Sequence, residues 1–187
     1  MSLDIPNAPV SALHAVRSAA TKRNLSLPRT LRAESEAQLD LVFPHEVFEL
    51  SAQAVLGTDP LTEARSLGWR FLIAAEKEIV GAALAARMEP GFQFSHLAPD
   101  PAQFVEVLSS SAVQTGPSKT YVPRLLHIRA AGLSAIWYHA DDHDLLIGLP
   151  PLPKGMEERR LYLPNSFFDL IRPGTRVRMN FERARNT

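Results

Sequence analysis

The pattern of apolar and polar positions predicts a helix at residues 7–23. Four apolar residues recur there at intervals of three or four: Val10, Leu13, Val16 and Ala20. This spacing puts them on one helical face, and Asn7 and Pro9 are residue types that begin helices. The segment is rich in Arg, Ser and Ala, as an organellar transit peptide is, but a first helix packed on a sheet is the preferred interpretation. Residues 24–37 follow as a linker.

Short apolar stretches of strand length recur along the rest of the chain. They are residues 39–43, 46–55, 69–75, 79–88, 125–129, 133–139, 145–149 and 176–181, and Pro44 separates the first two. The stretches 69–75 and 79–88 flank a charged turn, which predicts a hairpin, although the many alanines also permit a helix beginning at Glu76. Turn residues separate the three stretches between residues 125 and 149, which predicts an antiparallel meander.

Three further segments carry residues that begin or end helices: residues 59–68, 101–115 and 165–171. An aspartate followed by proline begins the first two, and Pro173-Gly174 follows the third. With the strands, these helices predict an α+β fold, with an antiparallel sheet of about five to six strands and three to four helices packed mainly on one face. The N-terminal helix and linker occupy residues 1–37, and a single α+β domain occupies residues 38–187.

Composition indicates a buried core and excludes one class of chemistry. Of 187 residues, 45% are hydrophobic and 21% charged, which is typical of globular proteins. The absence of cysteine excludes disulfides, thiolate nucleophiles and thiolate metal ligands, and it fits a reducing compartment. The longest apolar runs, residues 71–75 and 79–86, are far shorter than the ~20 residues of a membrane span, so we expect a cytoplasmic protein with no membrane partner.

Charge is distributed unevenly although the net charge is zero. Residues 1–33 carry +4, residues 34–106 carry −8 and residues 107–187 carry +4. The basic ends can fold onto the acidic middle, which is the preferred interpretation, or they can bind an anionic partner. Sixteen arginines against four lysines are typical of a GC-rich bacterial genome.

One cluster has residue types that suit catalysis or metal binding: His139, Asp141, Asp142, His143 and Asp144. As a catalytic site, His139 would act as a general base that Asp141 or Asp144 orients, and as a metal site His139 and His143 would be the ligands. The spacing matches neither the helical zinc motif nor the calcium-binding loop. Because acidic residues are common in turns between strands, a solvated turn is the preferred interpretation, and no cofactor is predicted.

The C-terminal segment is rich in arginine. If residues 176–181 form an edge strand, Arg176 and Arg178 lie on one face and apolar residues lie on the other. Arginines also bind phosphate backbones, but the zero net charge argues against a nucleic-acid partner. We therefore predict Arg176, Arg178 and Arg183 as contacts for a protein partner.

Two classes of function remain. The preferred one is a non-catalytic module of the bacterial cytosol that binds another protein or a second copy of itself. It rests on the apolar strands and on the absence of the usual phosphate-loop and nucleophilic-serine motifs. The alternative is a small metal-dependent hydrolase that uses His139, Asp141, His143 and Asp144.

Overall fold

The computed structural model describes residues 2–21, 40–76, 78–98, 101–114 and 119–185. Within these ranges the chain forms eight strands and four α-helices, separated in two places by a turn of 3₁₀ helix. In chain order they are β1 (Ser2–Leu3), α1 (Val10–Thr21), β2 (Asp40–Glu49), α2 (Ala52–Leu56), a 3₁₀ helix (Pro60–Glu63), β3 (Arg65–Ala75), β4 (Glu78–Met88), β5 (Gly91–Ala98), α3 (Ala102–Gln114), β6 (Thr120–Ile128), a second 3₁₀ helix (Arg129–Ala131), β7 (Leu133–His139), β8 (Asp144–Leu149) and α4 (Pro164–Arg185).

The α+β class and the mainly antiparallel pairing are confirmed, but the predicted number of strands is too low. The missed strand β5 has only weak alternation, and β1 is two residues long. That the helices cover mainly one face stays a prediction. The linker at residues 24–37, and with it the predicted boundary between residues 37 and 38, lies outside the described residues.

The chain divides into two compact units, the first of which consists of Met1–Asp4, Phe48–Ser66 and Glu106–Thr187. Strands β6, β7 and β8 form the predicted antiparallel meander, in which Ile136 of β7 lies between Leu125 and Ile147. β1 pairs with β6 in the parallel direction. The hydrophobic core combines Leu126, Ala135 and Leu146 of this sheet with residues of α2 and of the first half of α4.

The second unit consists of Ile5–Val47 and Leu67–Val105. Its strands follow the order β5-β4-β3-β2, and the predicted β3–β4 hairpin is confirmed, with Ala75 opposite Glu78. Helix α1 packs on this sheet through Ala12 and Val16, which contact a core that includes Trp69, Phe71, Ala83 and Ala85. The alanines of β4 are therefore not a helical signal, because their small side chains let α1 pack closely on this strand.

Gly68 lies inside β3 and does not end a helix as predicted. Its φ is +143°, and a Cβ at this position would lie 2.1 Å from the carbonyl oxygen of Ala85 on the neighbouring strand. Only glycine permits both this backbone conformation and this close approach. The predicted helix at residues 59–68 is reduced to the single 3₁₀ turn Pro60–Glu63.

The strands predicted on either side of Pro44 are also wrong in their bounds. A single strand, β2, runs through Pro44 to Glu49, and residues 52–56 form the short helix α2. Ser51 begins this helix because its Oγ accepts a hydrogen bond from the Ala54 N–H at 3.1 Å. A short apolar run that follows a serine fits a strand and a short capped helix equally well, because hydrophobic periodicity cannot distinguish the two over so few residues.

The prediction of a C-terminal strand is wrong. Helix α4 does not end before Pro173 but continues through it to Arg185, so residues 176–181 are helical. A proline inside a helix costs about 3 kcal/mol, because it removes one backbone hydrogen bond and crowds the preceding turn. The turn after Pro173 is nevertheless held in place, since Thr175 is fully buried and its hydroxyl donates a hydrogen bond to the Ile171 carbonyl at 3.0 Å.

A histidine that stands alone in the sequence, His45, is fully buried in the second unit. Its Nδ1 donates a hydrogen bond to the Phe43 carbonyl at 2.9 Å, and its ring stacks on Phe104 with the centroids 4.5 Å apart. Within the described part of the chain, its Nε2 has no hydrogen-bond partner. Burial lowers the pKa of His45 to about 3, the bond to Phe43 opposes this shift, and the Arg70 guanidinium adds to it.

We expect the free energy of unfolding to fall as the pH is lowered from about 6.5 to about 3. In this window the unfolded chain binds a proton at His45 and the folded protein does not, so this group costs about 1.4 kcal/mol of stability per pH unit. His45→Leu removes this contribution and flattens the profile, which urea denaturation at several pH values measures. His14→Gln, at an exposed histidine, is the control. An unchanged slope in His45→Leu would contradict the prediction.

Candidate functional site

The predicted histidine and aspartate cluster lies at the turn between β7 and β8. His139 is the last residue of β7, Asp144 is the first of β8, and the two are opposite each other in the ladder. Their side chains meet, with 2.8 Å between His139 Nδ1 and Asp144 Oδ1. The hairpin thus brings together one predicted pair, an imidazole and the carboxylate that would orient it.

His143 belongs to a second, separate contact group that includes Tyr121 of β6 and Lys119, the residue just before this strand. His143 Nδ1 lies 2.6 Å from Asp142 Oδ1, and His143 Nε2 contacts the hydroxyl of Tyr121. Lys119 Nζ lies 2.5 Å from Asp142 Oδ2 and 3.1 Å from His143 Nδ1. Hydrogen bonds from Lys119 and His143 lower the pKa of Asp142 to about 2, and burial raises the pKa of Tyr121.

An ionised Asp142 carboxylate can only accept, so the N–H at His143 Nδ1 donates to it and this nitrogen cannot also accept from Lys119. In the neutral tautomer that this bond selects, His143 Nε2 carries the lone pair, and the Tyr121 hydroxyl can donate to it. The resulting chain, carboxylate to imidazole to hydroxyl, has the order in which a base activates a hydroxyl group.

The cluster does not converge into a metal site within the residues that the structure describes. No group of three His, Cys, Asp or Glu side chains is positioned there to hold a metal ion. Asp141 is exposed and contributes to neither contact group. The sequence interpretation missed Lys119 and Tyr121, because they lie more than twenty residues before His143 and only the predicted meander signals that β6 runs beside this turn.

Helix α4 is the second candidate site, and its first half is part of the core. Phe167, Phe168 and Ile171 are each 2% exposed or less. Arg172 fixes this half to the end of α2, since its Nε donates to the Val55 carbonyl at 3.1 Å and its Nη2 donates to the Gly57 carbonyl at 2.8 Å. Its Nη1 also lies 2.6 Å from the Asp169 carboxylate.

The last ten residues of α4, 176–185, are called here the outer half of the helix. Successive residues of a helix are about 100° apart, so Val177 lies opposite the buried Thr175. Phe181 and Ala184 follow Val177 at intervals of four and three residues and share its face. Val177 is 70% exposed and Phe181 is 64% exposed. The outer half therefore carries an apolar stripe on the side that faces away from the core.

Arginines border this stripe on both sides. Arg176 and Arg183 are seven residues apart on one side, and Arg178 and Arg185 are seven apart on the other. Arg178 also contacts the 3₁₀ helix that follows β6, because its Nη1 donates to the Arg129 carbonyl at 3.0 Å. The predicted partner contacts Arg176, Arg178 and Arg183 thus lie on a helix, where Arg176 and Arg178 fall on opposite sides of the stripe and do not share a strand face.

Two open clefts adjoin the beginning of the outer half. One, of about 440 Å³, is lined by residues that include Glu49, Ser51 and Arg129, and the other, of about 400 Å³, by residues that include Lys154 and Leu170. Arg178 lines both clefts. A partner that contacts the outer half therefore also meets concave surface beside it.

No protein-family model matches this chain, and no curated protein or solved structure was found to be similar to it. Among the helices in the described ranges, none is both long enough and apolar enough to cross a lipid bilayer.

We expect Arg172→Ala to lower the free energy of unfolding by about 1–3 kcal/mol, since it leaves two carbonyls at the end of α2 without their charged donor. Arg176→Ala, a few residues further along the same helix, is the matched control and is expected to change stability by less than about 0.5 kcal/mol. Urea denaturation followed by circular dichroism measures both. Equal stabilities of the two variants would show that Arg172 does not anchor the helix.

Proposed function

We propose that this protein is a non-catalytic binding module of the bacterial cytosol, which binds an acidic protein partner through the outer half of α4. The observation that supports this proposal is the apolar stripe of Val177 and Phe181, which faces away from the core and has arginines on both sides. Apolar anchors at intervals of three and four residues are the pattern by which an amphipathic helix enters a groove of another protein.

The charge of the outer half favours an acidic partner. It contains four arginines and one glutamate, which gives a net charge of +3 over ten residues. Acidic side chains on the rim of a partner groove would pair with arginines on both sides of the stripe, while the groove itself would bury Val177 and Phe181. Such charge complementarity speeds association and fixes the orientation of the partners.

A protein groove explains the outer half better than nucleic acid or a membrane does. A phosphate backbone would pair with the arginines but would leave the apolar stripe in water. An anionic bilayer would bury only two large side chains, which is less than the broad apolar face of helices that lie in membrane surfaces. A groove with an apolar floor and acidic rims matches both features.

The test uses a synthetic helical peptide that presents leucines on one face and glutamates along both borders. Fluorescence anisotropy of the labelled peptide is expected to show binding to the wild-type protein. Val177→Ser/Phe181→Ser should weaken this binding at least tenfold, since burying each such side chain contributes about 1.5–3 kcal/mol. Arg176→Glu/Arg183→Glu should weaken it comparably and should make it less sensitive to salt.

Two control variants test whether binding is specific to α4, and two competing ligands test whether the partner is a protein. Met88→Ser and Arg65→Glu change an exposed apolar and an exposed basic residue away from α4, and they should bind the peptide as the wild type does. A peptide with lysines in place of the glutamates should not bind. Tighter binding to phosphatidylserine vesicles or to a DNA duplex than to the acidic peptide would contradict the proposal.

The second candidate function is hydrolysis at the β7–β8 turn, and the contact of Asp142, His143 and Tyr121 favours it. In this hypothesis His143 Nε2 takes the proton of the Tyr121 hydroxyl as the oxygen attacks an ester carbonyl, and the ester C–O bond breaks as His143 returns that proton to the departing alcohol. Water then hydrolyses the acyl-tyrosine, which releases the acid and restores the Tyr121 hydroxyl. His139 and Asp144 form the neighbouring pair. The metal-dependent form, with His139 and His143 as ligands and Asp141 and Asp144 nearby, stays a proposal that metal analysis of the purified protein tests.

If this second function holds, the protein releases p-nitrophenol from p-nitrophenyl acetate faster than a denatured sample does. Tyr121→Phe and His143→Ala should each reduce the rate at least about a hundredfold, because each removes a member of the proton-transfer chain. His139→Ala is the matched control, since it removes an imidazole on the same turn but outside that chain. Equal rates in all variants would exclude this site.

A further inference from the structure

Strand β5 (Gly91–Ala98) is the last strand in the order β5-β4-β3-β2 of the second unit. Along one edge it pairs antiparallel with β4, from Met88 opposite Gly91 to Ala82 opposite Ala98. Along its other edge, no backbone hydrogen bond joins β5 to another segment within the residues that the structure describes. Such an edge presents a row of N–H and C=O groups that can pair with another strand.

The sequence of β5 lacks two of the usual protections of an open edge. Proteins commonly place charged residues or proline on such strands to prevent pairing with other chains. β5 reads Gly-Phe-Gln-Phe-Ser-His-Leu-Ala and contains neither. Of the other described strands longer than two residues, only β7 has no Asp, Glu, Lys or Arg, and β7 has a neighbour on both sides.

One face of β5 is apolar and packs against the core, and the other is polar and exposed. Phe92, Phe94 and Leu97 pack against the hydrophobic core of the second unit. Gln93, Ser95 and His96 point to the other side and are exposed, and none of them is Asp, Glu, Lys or Arg. The core thus fixes the backbone of β5, and the exposed side chains leave its free edge without charge repulsion.

We propose that β5 pairs antiparallel with β5 of a second copy of this chain and so forms a two-fold symmetric dimer. Symmetry gives the reason for choosing a second copy as the partner. In an antiparallel pair about a two-fold axis, a residue near the middle of the strand lies beside its own copy, so a charge there would lie close to a like charge, which is unfavourable. An uncharged edge meets this requirement of self-pairing, whereas a foreign strand would not impose it.

The irregularity in β5 supports the same partner. The ladder passes from Leu84 opposite His96 to Ala85 opposite Phe94, so Ser95 is an extra residue that bulges from the strand. A bulge increases the local twist and spoils the fit to a regular strand. A second copy has the same bulge and the same twist, so its edge can follow this one.

Light scattering of the wild-type protein is expected to give a mass of twice 20.7 kDa that decreases on dilution. The triple variant Gln93→Lys/Ser95→Lys/His96→Lys should raise the dissociation constant of the dimer at least about tenfold, because the lysines of the two copies face one another. The matched control Gln53→Lys/Thr58→Lys/Gln103→Lys places three lysines at exposed positions outside β5 and should remain dimeric.

A second variant, Gln93→Glu/Ser95→Glu/His96→Glu, makes the test independent of folding defects. It should also be monomeric alone, and mixing it with the lysine variant should restore a dimer that contains one of each. A monomeric wild type, a dimer that survives the lysines, or a mixture that stays monomeric would each overturn the proposal. Val177→Ser/Phe181→Ser should leave the dimer intact, so this proposal and the proposed function fail separately.

Discussion

The burial of one face of α4 is the interaction on which most of the candidate surface depends. Phe167, Phe168 and Ile171 together contribute about 5 kcal/mol or more to stability by leaving water, which exceeds the cost of about 3 kcal/mol that Pro173 imposes on a helix. Arg172 and Thr175 fix the helix on either side of the proline. Because the helix is held on both sides of its weakest point, ten further residues can extend it.

Because α4 continues through Pro173, its arginines are arranged differently from those of the predicted strand. On an edge strand, Arg176 and Arg178 would form one basic face above a buried apolar face. On the helix they separate to the two sides of an apolar stripe, and that stripe lies opposite the core and is exposed. The same residues therefore form an amphipathic helix with an exposed apolar stripe, and the proposed partner is accordingly a protein groove with acidic rims.

In the β7–β8 turn, residues that form one cluster in the sequence are separated by the structure. Its residues are adjacent in the chain, yet they divide into two contact groups because side chains alternate in direction along a hairpin. His139 and Asp144 meet across the ladder, whereas His143 contacts Tyr121, far away in the sequence. Part of a local cluster of ligand-type residues thus belongs to a hydrogen-bonded chain with a residue that no spacing rule connects to it.

The sequence by itself determined the α+β class, the β3–β4 hairpin, the β6–β8 meander and the N-terminal helix, because alternation, turn residues and helical spacing act over a few neighbouring residues. It also determined the absence of thiol chemistry. Only the tertiary structure decided that Gly68 lies within a strand, that α4 continues through Pro173, and that β5 lies at one edge of the sheet among the described residues. Each of these depends on contacts between distant segments, whose packing energies exceed the local preferences that a sequence pattern records.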